Sequence, residues 1–212
     1  MPSHKIHIYI GNEVNKVLKL DKDLLLIGCI LPDIINNVSH FNSHFKVNHS
    51  IYNTKLFSDK YLNDKNPALI GYLVHLLTDQ YYNNYVKNNY FLFDENGKLN
   101  GIRMHDKIYY DEPEKICDKK QSDFTMYDNY LVRHNDFYIF KDNSFINKIP
   151  YIEECDYKKY NLVKYISEYN DDIKNNNNYN GEINYNFMNQ EELDNLLNNC
   201  INYIIDYFKK NK

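Results

Sequence analysis

The oiliest stretch of the sequence carries two polar side chains that can do chemistry. Gly71-Tyr72-Leu73-Val74-His75-Leu76-Leu77-Thr78-Asp79 holds an imidazole and a carboxylate four residues apart. On a helix that spacing puts both groups on one face. Gly71, one turn earlier on the same face, leaves room for another backbone or a ligand. Leu69, Ile70, Tyr72, Leu73, Val74, Leu76 and Leu77 make this helix apolar nearly all round, so it belongs at the centre of the fold. An imidazole and a carboxylate buried there are costly unless something satisfies them. A metal ion would do so, and so would a hydrogen-bond network; the spacing alone allows either.

Three more residues could join the pair: His7 on an apolar helix face, Asp33 after Leu31-Pro32, and His44 in Ser43-His44-Phe45. Imidazoles and carboxylates without thiolates suit zinc, or a similar divalent ion such as iron or manganese, in a catalytic rather than a structural site. The two oxygens of Asp79 could bridge two ions, as in two-metal centres for phosphoryl chemistry. Each residue also has a plainer reading. A lone His7 can be an ordinary core or surface histidine. Asp33 after a proline is by default a turn residue or helix cap. His40 and His44, four apart, can share a short helix and bind metal together, or simply be exposed. His105-Asp106 is the dipeptide of HD-type phosphohydrolases, but it follows a hairpin in a polar stretch, whereas such enzymes need it on a core helix.

These groups need helices to hold them. Ile6, Ile10, Val14, Val17 and Leu18 recur at helical spacing, and that pattern outruns the competing strand reading of Ile6, Ile8 and Ile10. Asp23 to Leu31 is a short apolar element ending at Pro32, which places Asp33 at a bend. Residues 34–49 read as loop plus a short helix, 50–62 as a polar helix, and about 67–88 as the central helix opened by Asn66-Pro67. Tyr90–Phe93 and Lys98–Ile102 flank an Asn96-Gly97 turn, a hairpin signal that marks a small insertion over about 90–103. Further helices are expected near 121–134 and 157–174, with the asparagine run 175–178 as a solvated loop. The last helix opens with a capping-box pattern at Asn189 and Glu192 and carries one apolar face from Leu193 to Phe208.

Composition narrows the function classes. The 212 residues suffice for one substantial domain, and only 6 Gly and 5 Pro beside long periodic segments point to a mainly α fold. A net charge of -4 argues against a nucleic-acid partner, which normally meets a basic stripe. Cys29, Cys117, Cys155 and Cys200 form no C-x-x-C pair, which excludes the usual cysteine zinc motifs. No apolar run reaches the ~20 residues that span a bilayer, and Met-Pro-Ser-His-Lys does not open a signal peptide. A cytoplasmic protein without membrane insertion is the expectation.

Met1-Pro2-Ser3 with His7, Leu31-Pro32-Asp33, Ser43-His44-Phe45 and the Gly71–Asp79 segment occur in an order that resembles the zinc-dependent phospholipase C family, of the phospholipase C/P1 nuclease type. The resemblance covers roughly the first 90 residues and is nearest to small bacterial members that start with Met-Pro-Ser. It implies a single helical domain with the metal site between helices. Asp33, His44, His75 and Asp79 would hold one zinc, and Asp79 would bridge to a second ion held partly by His7. The implied chemistry is hydrolysis of a small phosphoester, with Asp33 acting as or orienting the base. The chain departs from the pattern in two ways. It has no tryptophan, the residue that starts the mature secreted enzymes, and Tyr109 and Tyr138 stand where a His-x3-Glu motif would follow His105 or His134. One or two ions are therefore expected rather than three. Without an added β-sandwich for membrane docking, phospholipid is a poor candidate substrate. A non-catalytic helical binding protein that keeps the scaffold is the alternative from another class.

Overall fold

Ser3 opens the first helix by accepting backbone N–H bonds from Lys5 at 3.1 Å and Ile6 at 3.4 Å. A computed structural model of the chain describes residues 2–34, 38–48, 51–105, 107–176 and 184–211. Helix α1 runs His4–Leu18 and buries Ile6, Ile10 and Val14 as their spacing predicts, along with His7. Val17 departs from the expected stripe and is 46% exposed. Helix wins over strand across residues 6–10 because the apolar pattern continues for two more turns and Ser3 caps it.

Asp21 caps α2 (Lys22–Gly28), whose Leu24 to Ile27 are all buried, and a 3₁₀ turn over Leu31–Asp33 follows at Pro32. Ser39 caps the single-turn α3 (His40–Ser43). Strands β1 (Lys46–Asn48) and β2 (Ile51–Tyr52) pair antiparallel, and α4 (Thr54–Tyr61) comes next. The polar helix expected from residue 50 therefore starts later. Ile51 and Tyr52 are taken into the strand pair, and the Asn53 side chain accepts from Leu56 N–H to cap the helix.

Asn66 and Pro67 open α5 (Pro67–Asn89), which is buried on nearly every side from Ala68 to Asp79 apart from Ile70. It lies among α1, α2, α4 and α8, with α2 its most intimate neighbour. Two glycines explain that closeness. A Cβ on Gly71 would sit 2.0 Å from the Leu25 carbonyl oxygen, and one on Gly28 would sit 2.1 Å from that of Ala68. The two helices thus touch backbone to backbone, so the space beside Gly71 is filled by α2 and not by a ligand.

The predicted hairpin forms from β3 (Phe91–Phe93) and β4 (Leu99–Met104), with Gly97 at φ 76° in the turn, where glycine carries no steric penalty. A third strand, β5 (Lys107–Tyr110), pairs with β4, so the insertion is a three-stranded antiparallel sheet. Helix α6 (Pro113–His134) starts eight residues before the expected 121. Its first two turns bury only Ile116 among charged neighbours, which leaves almost no apolar period to read. Helix α7 (Lys159–Asn176) buries Leu162, Ile166, Tyr169 and Ile173, and it takes in Asn175 and Asn176 from the asparagine run; Asn177 and Asn178 lie outside the described residues. Helix α8 (Gln190–Lys210) has the reciprocal capping box: Asn189 N–H donates to Glu192 Oε2 at 2.7 Å, and Glu192 N–H to Asn189 Oδ1 at 2.9 Å. The protein is mainly helical with two small sheets, and no described helix is long and apolar enough to cross a membrane.

Candidate metal centre

All five residues singled out as ligands converge at the junction of α1, α5, the 3₁₀ turn and the end of α3. Helix α5 contributes His75 and Asp79 from consecutive turns, both fully buried. The His75 Nδ1 lies 2.7 Å from the Cys29 carbonyl oxygen at the end of α2. His44, the residue that ends α3, places Nδ1 2.9 Å from the His40 carbonyl oxygen and 3.0 Å from Ser43 Oγ. A carbonyl can only accept, so each Nδ1 carries a hydrogen, which leaves Nε2 as the ligating nitrogen of each ring when that ring is neutral.

Those two Nε2 atoms face each other at 3.0 Å. Asp79 Oδ2 lies 3.4 Å from the His44 nitrogen and 3.7 Å from that of His75. Lone pairs that converge in a buried space repel unless positive charge sits among them. A tetrahedral zinc with bonds of ~2.0–2.1 Å holds its ligand atoms ~3.3–3.4 Å apart, and the three separations bracket that value. Asp33 Oδ1 adds a fourth acceptor 3.3 Å from His44 Nε2.

His7 approaches Asp79 from the other side. Its ring stacks on His75 with centroids 3.8 Å apart, and its Nε2 lies 3.5 Å from Asp79 Oδ1. Neither nitrogen of His7 and neither oxygen of Asp79 makes a hydrogen bond, although all are buried. Leaving such groups unsatisfied costs ~1–3 kcal/mol each, and more for a charged one. A cation is the partner that would satisfy the carboxylate and the rings together. Asp79 turns one oxygen toward His7 and the other toward His44 and His75.

Asp33 forms the rim. Its Oδ2 contacts His4 Nε2 at 3.1 Å, and its Oδ1 contacts His40 Nε2 at 3.4 Å. Both histidines are over one-third exposed, while the Asp33 side chain is 14% exposed. Outside lies an open depression of about 470 Å³ lined by Pro2, Ser3, His4, Asp33 and Gln121. The centre therefore grades from fully buried Asp79 to an accessible mouth at Asp33. Three overlapping sets of side chains lie close enough to hold an ion: His7, Asp33 and His75; Asp33, His40 and His44; and His44, His75 and Asp79.

The electrostatics suit a cation. Burial works to raise Asp79, but His7 and His75 outweigh it and hold the carboxyl well below its ordinary range. Asp33 is likewise lowered against its burial, by His75 and by contacts with His4, His40 and His44. Burial, reinforced by His75, lowers His7 to about 4, and burial lowers His44 despite Asp33. His75 goes the other way: burial pulls it down, but Asp33, Asp79 and the Cys29 carbonyl together raise it. Near neutral pH the site presents two carboxylates and neutral rings at His7 and His44, and His75, which holds its proton more firmly, is where a proton best substitutes for a metal.

His4 stands one turn before His7 on the same helix, and only its contact with Asp33 marks it as part of the site. His40 was legible through its spacing to His44, and their stacked rings, 3.7 Å apart, fulfil the shared-helix reading. The backbone acceptors at Cys29 and His40 leave no mark in a sequence. His105 is exposed in the turn between β4 and β5, at φ 49°, and Asp106 lies outside the described residues, so the helical setting of an HD pair is not found there. Comparison with protein-family models, with curated proteins and with solved structures returned no match.

Proposed function

We propose that the protein is a divalent-metal-dependent hydrolase, with zinc the best-suited ion, acting on a small phosphoester. The observation that carries this reading is the convergence of buried ligating atoms: the Nε2 atoms of His44 and His75, 3.0 Å apart, beside both oxygens of Asp79, which make no hydrogen bond. A bound ion supplies Lewis acidity for a phosphoryl centre and makes water easier to ionise. His44 and His75 hold their rings in the ligating tautomer through backbone carbonyls, a supporting layer such sites commonly need. Asp79 is shut away from water and would be the fixed carboxylate ligand of a bound ion. Asp33, ionised and at the solvent-facing mouth, is placed to take a proton from an attacking water, with His4 and His40 orienting its two oxygens. The order of motifs along the first 90 residues supports phosphoester hydrolysis over other metal chemistry.

Elemental analysis of untagged protein prepared without chelators tests the metal, with His75→Ala and Asp79→Ala as comparisons. Wild type should carry at least one zinc, iron or manganese per chain, and the variants should lose it. Turnover of p-nitrophenyl phosphate or bis-p-nitrophenyl phosphate should then depend on metal and disappear in Asp79→Asn. Wild-type protein with no stoichiometric divalent ion would sink the proposal.

A further inference from the structure

The atoms that face the metal position are all acceptors, yet a phosphoryl group also needs donors for its non-bridging oxygens. The β1–β2 pair, which starts two residues after His44, carries two candidates. Lys46 and Tyr52 are directly opposed across that ladder, so their side chains share a face. The Lys46 ammonium lies 5.2 Å from the centre of the Tyr52 ring. Tyr52 is buried against α5, where its hydroxyl receives the Asn83 amide at 2.5 Å. Asn83 stands one turn beyond Asp79, so His75, Asp79 and Asn83 follow one another along one face of α5. Lys46 itself comes two residues after His44. Its half-buried charge lies in the fields of Asp79 and Asp33 and in that of Lys120, the neighbour of Gln121 at the mouth.

We propose that Lys46 and Tyr52, braced by Asn83, form the phosphoryl-recognising wall of this site and select a terminal phosphate, that is, a phosphomonoester. The proposal rests on the hydrolase reading above. Its physical basis is charge. A monoester dianion gains about twice as much from a fixed ammonium as a diester monoanion does. A partly buried cation is also screened less than a surface lysine. The Tyr52 phenol adds an oriented hydroxyl without adding charge.

The test titrates inorganic phosphate into zinc-loaded protein by calorimetry and reads zinc content and thermal midpoint alongside. Lys46→Met should weaken phosphate roughly 10- to 100-fold, as for loss of a charge-assisted hydrogen bond, and Tyr52→Phe roughly 3- to 10-fold. Zinc content should not change, and Lys46→Arg should restore most of the affinity. Lys46→Gln repeats the measurement should the methionine variant fold poorly. In turnover, Lys46→Met should lower kcat/KM for p-nitrophenyl phosphate more than for bis-p-nitrophenyl phosphate. Wild type that takes up no phosphate, or Lys46 variants that bind it as wild type does, would overturn the proposal. Phosphate binding that depends on Lys46 without turnover of any phosphoester counts against the hydrolase reading and leaves the anion wall standing. Metal-dependent turnover with unchanged phosphate affinity in the variants removes the wall alone.

Discussion

Replacing Gly71 with alanine should loosen the candidate metal centre without touching any of the side chains that would hold an ion. The new methyl would lie 2.0 Å from the Leu25 carbonyl oxygen and 3.0 Å from the Cys29 nitrogen, and both obstacles are backbone. No rotamer change relieves that, so α2 and α5 must separate by roughly 1 Å to reach an ordinary contact. Overpacking of this kind costs ~1–3 kcal/mol, and a backbone obstacle puts it at the upper end. Alanine returns ~1 kcal/mol in helix propensity. The net loss is about 2 kcal/mol, or roughly 4–8 °C in thermal midpoint for a chain of this size. The distinctive part is the effect on metal. Cys29 O holds His75 Nδ1 at 2.7 Å, so moving α2 off α5 stretches the bond that sets the ring and its tautomer. Loss of such a supporting bond weakens metal binding ~10- to 100-fold. Differential scanning fluorimetry with and without zinc, plus a competitive zinc titration, measures both effects. Gly97→Ala is the control: its φ of 76° makes alanine strained, but nothing lies within 4 Å, so stability should fall slightly and zinc affinity should hold. A Gly71→Ala protein with wild-type midpoint and wild-type zinc affinity would refute the claim that the α2–α5 contact positions the site.

Three further outcomes follow from buried groups. Asp128, 4% exposed with Oδ1 lacking a hydrogen bond, is raised by burial from 3.8 to about 7. A raised carboxyl stabilises the fold only below its unfolded value, and that contribution is lost as pH rises from 3.8 to about 7. Asp128→Asn should therefore gain up to roughly 4 kcal/mol near pH 8 and little near pH 4, read from denaturant midpoints at both pH values. Asp123 accepts from Asn186 N and Nδ2 at 2.6 and 2.7 Å, from Phe187 N at 2.8 Å and from Met188 N at 3.2 Å, pinning the lead-in of α8 to α6. Asp123→Ala leaves those donors buried and should cost ~3–5 kcal/mol, with amide exchange at Phe187 and Met188 accelerating first; unchanged exchange there would contradict the pin. Zinc bound as proposed would have to displace the proton favoured at His75, so zinc affinity should rise by up to tenfold per pH unit below the raised His75 value and level off above it; a flat profile from pH 5 to 8 would count against that proton.

The parts of the molecule that could be read in the sequence are those where one physical signal dominates. α5 and α8 carry long apolar periods and explicit caps, and both form close to their expected limits. His75 and Asp79 were legible because two polar groups in an otherwise apolar helix demand a reason, and the same argument extended to His7. The less legible parts involve competing or non-local signals. β5 is a short, mostly exposed strand paired with β4, and the start of α6 hides in a charged stretch that buries one residue. His4 was overlooked because its role depends on Asp33 arriving from a different element. Lys46 and Tyr52 join the site only through strand pairing and a contact with Asn83.

The backbone acceptors behind His44 and His75 bear on how such a centre evolves. Many metal sites orient their imidazoles with carboxylate side chains, which single mutations can remove and which leave a recurrent pattern in related sequences. Here the orienting atoms are the carbonyls of Cys29 and His40, present whatever side chains those positions carry. The outer layer of the candidate centre thereby depends on the chain path rather than on residue identity. Positions 29 and 40 are free to drift in side chain as far as that layer is concerned. The constraint on side-chain size falls instead on Gly28 and Gly71, whose missing side chains keep the Cys29 carbonyl within reach of the ring.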